Sequence, residues 1–80
     1  MDKIDKFLNS LDRRRREIIT ELVADITKGN FDSLELKKLK GFDNLYRVRK
    51  SRVRIVFEII NGKGEIKIID WRKEDTYKNL

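Results

Sequence analysis

Cysteine, histidine and proline are all absent from this chain of 80 residues. Without cysteine the chain can form neither a disulfide nor a thiolate metal site, which fits a reducing compartment. Without histidine it lacks the usual general base near neutral pH and the commonest metal ligand. Any catalysis must therefore use arginine, lysine, tyrosine or carboxylate side chains, and nothing in the composition points to a cofactor.

Long apolar runs are also missing. No run approaches the roughly 20 residues that a membrane-spanning helix needs, and the N-terminal MDKIDKFLNS lacks the apolar stretch of a signal peptide. A chain of this length buries only a modest core. We therefore expect one cytoplasmic domain over residues 1–80 that does not contact a membrane.

Positive charge is what the chain has in excess. Lysine and arginine number 20 against 14 aspartate and glutamate residues, which gives a formal net charge of +6. Such an excess attracts polyanions such as nucleic acid, or an acidic protein partner. Charge alone does not separate this interpretation from a soluble protein whose basic surface has no such partner.

The first third of the chain has helical periodicity. Apolar residues recur with i, i+3, i+4 spacing in two stripes: Ile4, Phe7, Leu8 and Leu11, then Ile18, Ile19, Leu22, Val23 and Ile26. Asp2 and Asp12 are suited to cap the two helices, and Gly29 is suited to end the second. These signals predict a short helix, a tight turn near Ser10–Asp12 and a longer helix that ends at about Lys28.

The rest of the chain is predicted to form a connector and a sheet. In the connector, residues 30–44, Asp32 and Glu35 fit a capping box, so one helical turn is possible. From Leu45 onwards the apolar period changes to two, which is typical of strands. The predicted strands cover residues 45–50, 53–60 and 65–71. One face of the sheet then carries Tyr46, Val48, Val53, Ile55, Phe57, Ile59, Ile66 and Ile68.

These elements predict an α+β fold. An N-terminal helical hairpin packs on one face of a small antiparallel meander of about three strands. In the first hairpin, a two-residue turn at Ser51–Arg52 places Arg49 opposite Arg54 and Arg47 opposite Val56. Like charges that face each other across a sheet are unfavourable, so this hairpin needs an explanation.

The second hairpin allows two registers. A turn at Gly62–Lys63 pairs Glu58 with Lys67, and it also places Arg54 opposite the single tryptophan. A turn one residue earlier pairs Glu58 with Glu65 instead. Charge pairing, together with stacking of the guanidinium on the indole, favours the first register.

Three arginines therefore share the sheet face opposite the core. They are Arg47, Arg49 and Arg54, and we expect them to lie beside Trp71 and next to Arg72. Guanidinium groups match phosphate oxygens two at a time, and an anion between facing arginines relieves their repulsion. This predicts a phosphate-binding groove. The alternative, which spacing alone slightly favours, is that the long side chains splay into solvent or pair with nearby carboxylates.

A second cationic feature is the run Arg13–Arg16, in the first turn of the second helix, where the helix dipole disfavours cations. It can bind a phosphate backbone, or it can form a solvated helix face near Glu17 and Glu21. We favour the solvated face, because four consecutive residues point around much of the helix and do not converge on one site.

An ordered set of motifs runs through the chain. FLNSLDRRRREIITELV comes first, then LKGFDNLYRVRKSRVRIVFEI, and after a turn IKIIDWR and a tyrosine. Together they resemble the RelE/ParE toxin superfamily of toxin–antitoxin modules, over nearly the whole chain. The residues that match its pattern are Leu39, Gly41, Tyr46, Arg47, Arg49, Arg54, Arg72 and Tyr77. Ser51 replaces the usual glycine of the first hairpin, and the short strand that commonly opens the family has no counterpart.

The resemblance implies a RelE-like toxin that cleaves messenger RNA in the ribosomal decoding site, without a metal, by attack of the RNA 2′-hydroxyl on the adjacent phosphate. Arg54 and Arg72 would hold the scissile phosphate. Arg47 and Arg49 would orient the RNA, and Tyr77 would be an acid–base partner. Further candidates for RNA contact are Lys50, Arg52, Trp71 and Lys73. The resemblance also implies a cognate antitoxin partner with an acidic or amphipathic segment.

Other functions stay open at this point. A ParE-like toxin would poison DNA gyrase through protein contacts, and the basic cluster argues mildly against this. A non-catalytic basic module would bind RNA or ribosomes without cleavage. A metal nuclease is the weakest alternative, because Asp70 has the parity of the core face and Glu58 that of the other face. Its ligands would be Glu58, Asp70, Glu74 and Asp75.

Overall fold

A computed structural model describes residues 3–41 and 43–71. Two helices come first, followed by a single antiparallel sheet of four strands in the order β1-β2-β3-β4. The elements are α1 (Lys3–Asn9), α2 (Arg13–Lys28), β1 (Lys37–Lys38), β2 (Leu45–Lys50), β3 (Val53–Ile60) and β4 (Lys63–Trp71). The described part of the chain contains no helix that is long and apolar enough to cross a membrane.

The predicted limits of α2 are confirmed. The Asp12 side chain accepts a hydrogen bond from the backbone N–H of Arg15 at 3.2 Å, as an N-cap should. Gly29 ends the helix in the left-handed conformation with φ of 84°, and its N–H donates to Ile26 O at 3.2 Å. The predicted cap of the first helix, Asp2, lies outside the described residues.

Gly29 also sits against the second hairpin. A Cβ atom at this position would overlap the carbonyl oxygen of Gly62. Two separate effects therefore require glycine here: the positive φ, and the close approach of another backbone. The end of α2 and the turn between β3 and β4 are thus fixed to each other.

We expect Gly29→Ala to destabilise the fold more than Gly41→Ala does. Both glycines have positive φ, 84° and 86°, but a Cβ on Gly41 meets nothing within 4 Å. The left-handed conformation costs about 1–2 kcal/mol in each variant, and the overlap at Gly29 adds about 1–3 kcal/mol. Urea denaturation of the two variants measures the difference, and equal losses would show that the contact with Gly62 is unimportant.

The connector forms no helical turn. The Leu34 N–H donates to Phe31 O at 3.0 Å, and this closes a turn instead. Phe31, Leu34 and Leu36 are partly buried against the core cluster. The capping-box pair Asp32 and Glu35 therefore does not start a helix, because the apolar residues around it are used to pin the connector to the core.

The prediction of about three strands is wrong, because the connector supplies a fourth. In β1, Lys37 lies opposite Arg47 and Lys38 lies opposite Tyr46. The strand has only two residues, both of them exposed lysines. It therefore has neither the alternation of apolar and polar residues nor the β-branched and aromatic residues that mark a strand in a sequence.

The first hairpin has the predicted register. Lys50 pairs with Val53 around a turn in which Ser51 and Arg52 have φ of 52° and 67°. Positive φ at both positions is the turn geometry that matches the twist of a two-residue hairpin. Arg49 accordingly lies opposite Arg54.

The register favoured for the second hairpin is wrong. Ile60 pairs with Lys63, so the turn is Asn61–Gly62, with φ of 53° and 79°. Asn-Gly is the preferred dipeptide for this turn, and turn chemistry outweighs the charge pairing on which the prediction relied. Glu58 consequently lies opposite Glu65.

A β-bulge then changes the parity of β4. Val56 pairs with Ile68 and Phe57 with Ile66, so Lys67 is an extra residue. Its Nζ lies 3.5 Å from Glu58 and 3.3 Å from Glu65, which offsets the repulsion between these carboxylates. The hydrogen bond to Glu65, with the charges of both glutamates, raises the pKa of Lys67 above its ordinary value.

The bulge moves several side chains to the face opposite the predicted one. We call the sheet face that points away from the helices the outer face. Ile68, predicted to face the core, lies on the outer face and is 47% exposed. Ile69 takes its place opposite Ile55 and packs against the core cluster. Asp70 moves to the outer face, opposite Arg54, and Trp71 comes to lie opposite the buried Val53.

The core lies between the helices and the sheet. Phe57 is its largest side chain, fully buried and stacked on Phe31 and Tyr46 with ring centroids 5.8 and 6.2 Å away. The buried cluster consists of Leu11, Ile19, Leu22, Ile26, Val48, Val53, Ile55 and Phe57. The helical periodicity and the strand periodicity therefore predicted the core correctly up to the bulge.

Candidate nucleic-acid interface

Within the described residues, a group of four neighbouring cations lies on the outer face of the sheet, across three adjacent strands. Lys37 of β1 is opposite Arg47 of β2, and Arg49 of β2 is opposite Arg54 of β3. Arg47 and Arg49 are two residues apart in one strand, so they project from the same face. The structure thus brings together Arg47, Arg49 and Arg54, as predicted from parity, and adds Lys37 to them.

Arg54 is held by a carboxylate. Its Nε and Nη2 donate to the two carboxylate oxygens of Asp70 at 3.0 and 2.8 Å, and the two side chains are 32% and 35% exposed. This is the parallel two-bond geometry that guanidinium and carboxylate groups favour. Asp70 thus balances Arg54 from β4, on the side away from Arg49, whereas the predicted phosphate would lie between the two facing arginines.

The other cations line an open cleft beside β1. The cleft has a volume of about 360 Å³ and is lined by Glu35, Leu36, Lys37, Arg47 and Arg49. Within residues 3–41 and 43–71, no carboxylate forms an ion pair shorter than 4 Å with any of its three cations. Among the described residues these three charges are therefore not neutralised by an ion pair, whereas that of Arg54 is balanced in part.

Two of the predicted RNA contacts lie at the turn end of the first hairpin. Lys50 ends β2 and is exposed, and Arg52 is exposed in the turn that follows. Arg72, Lys73 and Tyr77 lie outside the described residues. Lys50 lies opposite the buried Val53 and lines a pocket with Glu21 and Leu22 of α2, so it is on the helix side of the sheet and not among the outer-face cations.

Trp71 does not lie beside the outer-face arginines. It is 44% exposed on the helix side of the sheet, where its ring centroid is 5.7 Å from that of Phe7. The guanidinium carbon of Arg15 lies 5.4 Å from the centre of the Trp71 ring. The bulge in β4 causes this difference, because it reverses the parity of the residues that follow it.

The Arg13–Arg16 run is dispersed around the start of α2. Arg15 contacts the Asp12 carboxylate at 3.0 Å, and Arg16 donates to Leu11 O at 3.0 Å. Arg13 lies 3.6 Å from Glu17 and is largely exposed. Arg15 and Arg16 thus contact the residues just before α2, and Arg13 lies on the solvated surface. This confirms that the run does not form one site.

Sequence reasoning missed two residues of the interface, Lys37 and Asp70. Lys37 belongs to a strand too short to show periodicity, and only its position before the Tyr-Arg-Val-Arg strand hints at pairing. Asp70 was assigned to the core face because strict alternation was continued through β4. The β-bulge at Lys67 breaks this alternation, and neither the apolar period nor the turn preference signals it.

Comparison with solved structures identifies the fold. The chain is similar to a chain of the crystal structure of the RelB-RelE antitoxin-toxin complex from Methanococcus jannaschii, with a TM-score of 0.70 and 23% sequence identity. The match covers 100% of this chain and 95% of the other. The chain has a RelE-like fold. Its sequence matches no protein-family model and no curated protein.

The RelE-like fold agrees with the expected resemblance in the order of helices and sheet. A shared fold does not by itself carry an activity, which has to be argued from the site. Of the possible metal ligands Glu58, Asp70, Glu74 and Asp75, the last two lie outside the described residues. Asp70 shares the outer face with Arg54, which corrects the predicted parity. Among the described residues no group of three or more metal-ligating side chains occurs.

Proposed function

We propose that this chain is the toxin of a toxin–antitoxin module and that it cleaves messenger RNA on the ribosome without a metal. The observation that carries the proposal is the row of cations Lys37, Arg47, Arg49 and Arg54 on one face of a RelE-like sheet. A rigid sheet places these charges at fixed spacing, which suits a ligand with regularly spaced phosphates.

The proposed reaction is an internal transfer at one phosphate. The RNA 2′-oxygen forms a bond to phosphorus and loses its proton, and the bond from phosphorus to the 5′-oxygen breaks as that oxygen gains a proton. Negative charge accumulates on the phosphate oxygens in the transition state, so fixed cations accelerate the reaction. Arginine suits this task because it stays charged at any relevant pH.

Each cation has a proposed role. Arg54, with Arg72, contacts the scissile phosphate, and Tyr77 exchanges protons with the reacting oxygens. Arg47 and Arg49 orient the RNA from the cleft. Arg52 and Lys73 bind neighbouring phosphates. Lys50 and Trp71 lie on the helix side of the sheet, so they contact RNA only where it passes that side.

The proposed protein partner is an antitoxin. The similar chain comes from an antitoxin–toxin complex. An acidic or amphipathic segment matches the charge of the outer face, and it would block RNA by covering the same cations.

The test is to express the chain and map the ends of cellular messenger RNA by primer extension. We expect new ends at discrete positions inside translated regions within minutes of induction. A DNA-damage response without such ends would favour gyrase poisoning. Salt-sensitive RNA binding with no cleavage on programmed ribosomes would favour a non-catalytic binding module.

We expect Lys37→Ala to weaken binding of single-stranded RNA and to reduce its salt dependence. Each lost phosphate contact lowers the slope of log K against log salt by about 0.7. Lys63→Ala is the matched control, since it removes the same charge from an exposed lysine at the turn end of β4. Filter binding over a range of salt concentrations measures both variants, and identical slopes would remove Lys37 from the interface.

A further inference from the structure

We infer that Asp70 is a positioning residue, which fixes the guanidinium of Arg54 in the orientation that binds the scissile phosphate. This inference rests on the proposed function. Asp70 is not among the residues for which the sequence predicts a role in RNA cleavage. The geometry of its contact with Arg54 and its place in β4 support it.

The contact leaves part of the guanidinium free. Arginine has five N–H groups, and Asp70 accepts one from Nε and one from Nη2. The two N–H groups on Nη1 and the second on Nη2 make no hydrogen bond to a described residue. Asp70 therefore does not block Arg54, and it holds one edge of the guanidinium while another edge can meet a phosphate.

The pair is built on the rigid part of the fold. Arg54 and Asp70 are directly opposite in neighbouring strands, and the bulge at Lys67 is what brings Asp70 to the outer face. A cross-strand pair on a sheet fixes orientation better than a pair on loops does. Both side chains are about one-third exposed, so the pair is open to a ligand.

The negative charge of Asp70 makes it possible to distinguish an effect on the orientation of Arg54 from an effect on the attraction of RNA. Arg49 lies opposite Arg54, and without Asp70 the two guanidinium groups would repel each other. Asp70 also subtracts one positive charge from the site, so it must weaken the general attraction of RNA rather than strengthen it. If Asp70 assists the reaction, its effect must therefore appear in the rate of cleavage and not in the affinity.

The test compares Asp70→Asn with Glu58→Gln as a matched control. Both changes remove one negative charge from the outer face and keep the side-chain shape, and Glu58 is similarly half-buried at 29% exposure. RNA affinity is measured with an oligonucleotide whose scissile 2′-hydroxyl is replaced by hydrogen. Cleavage is measured in single turnover, and the Arg54 Nε–H signal is followed by NMR.

We expect Asp70→Asn to bind the non-cleavable RNA at least as tightly as wild type does, but to cleave about 10- to 100-fold more slowly. Its Arg54 Nε–H signal should move towards the position of a free arginine. Asp70→Glu should recover part of the rate, because it keeps the carboxylate. Glu58→Gln should show the same rise in affinity with no loss of rate.

Any of three results would overturn the inference. Cleavage by Asp70→Asn at or above the wild-type rate would mean that Asp70 competes with phosphate. Parallel loss of affinity, rate and thermal stability would mean that it only supports the fold. If wild type itself cleaves no RNA, the proposed function fails, and the NMR signal still decides whether Asp70 orients Arg54: an Arg54 signal unchanged in Asp70→Asn would refute it.

Discussion

Replacing Arg54 by alanine should abolish RNA cleavage and growth inhibition while the fold stays intact. Removal of one group that stabilises transition-state charge costs about 10²–10³ in rate. The ion pair with Asp70 is about one-third exposed, so its loss costs the fold at most about 1 kcal/mol. Single-turnover cleavage and circular dichroism of the same preparation check both parts of this expectation.

The control for this variant is Arg13→Ala. It removes the same charge from the largely exposed start of α2, far in sequence from the outer face. Arg54→Lys adds a second comparison, because lysine keeps the charge but loses the planar fork, and we expect it to recover little activity. Wild-type cleavage by Arg54→Ala would remove Arg54 from the reaction.

Phe57→Ala should have the largest effect on stability. Phe57 is fully buried at the centre of β3 and stacks on Phe31 and Tyr46. Truncation of a buried phenylalanine costs about 3–5 kcal/mol, from lost burial and from the cavity that remains. A domain of this length has a total stability of about 4–12 kcal/mol, so the variant should be largely unfolded or close to it.

Ile60→Ala is the control in the same strand. Ile60 is exposed, so its loss should cost well under 1 kcal/mol. Urea denaturation, followed by circular dichroism, gives the free energies of unfolding of both variants. Equal effects of the two substitutions would mean that the core is not centred on Phe57.

The elements with strong periodicity could be predicted from the sequence. The predicted strands at residues 45–50 and 53–60 coincide with β2 and β3, and α2 has the predicted caps. The apolar residues of these elements repeat over several turns or pleats, which makes the pattern unambiguous. β1 could not be found in this way, because two lysines have no pattern and pair only through tertiary structure.

The arrangement of the arginines on the outer face was predicted in part. A two-residue turn at Ser51–Arg52 predicted Arg49 opposite Arg54, and the structure has the same register. The pairing of Arg54 with Asp70 could not be predicted, because one extra residue at Lys67 moves Asp70 from the core side to the outer face. Bulges are set by the fit of strands within a sheet, and turn preference at Asn61–Gly62 alone does not reveal them.

The central claim is that fixed arginines promote attack by the RNA 2′-hydroxyl, and the ends of the cleaved RNA test it most directly. Purified chain is incubated with ribosomes programmed with a defined messenger RNA, and the 3′ ends of the upstream fragments are identified by mass spectrometry. The account predicts 2′,3′-cyclic phosphate ends, which vanish when the scissile nucleotide is 2′-deoxy and in the Arg54→Ala variant. Ends with a 3′-hydroxyl, or cleavage that persists at the 2′-deoxy position, would contradict it.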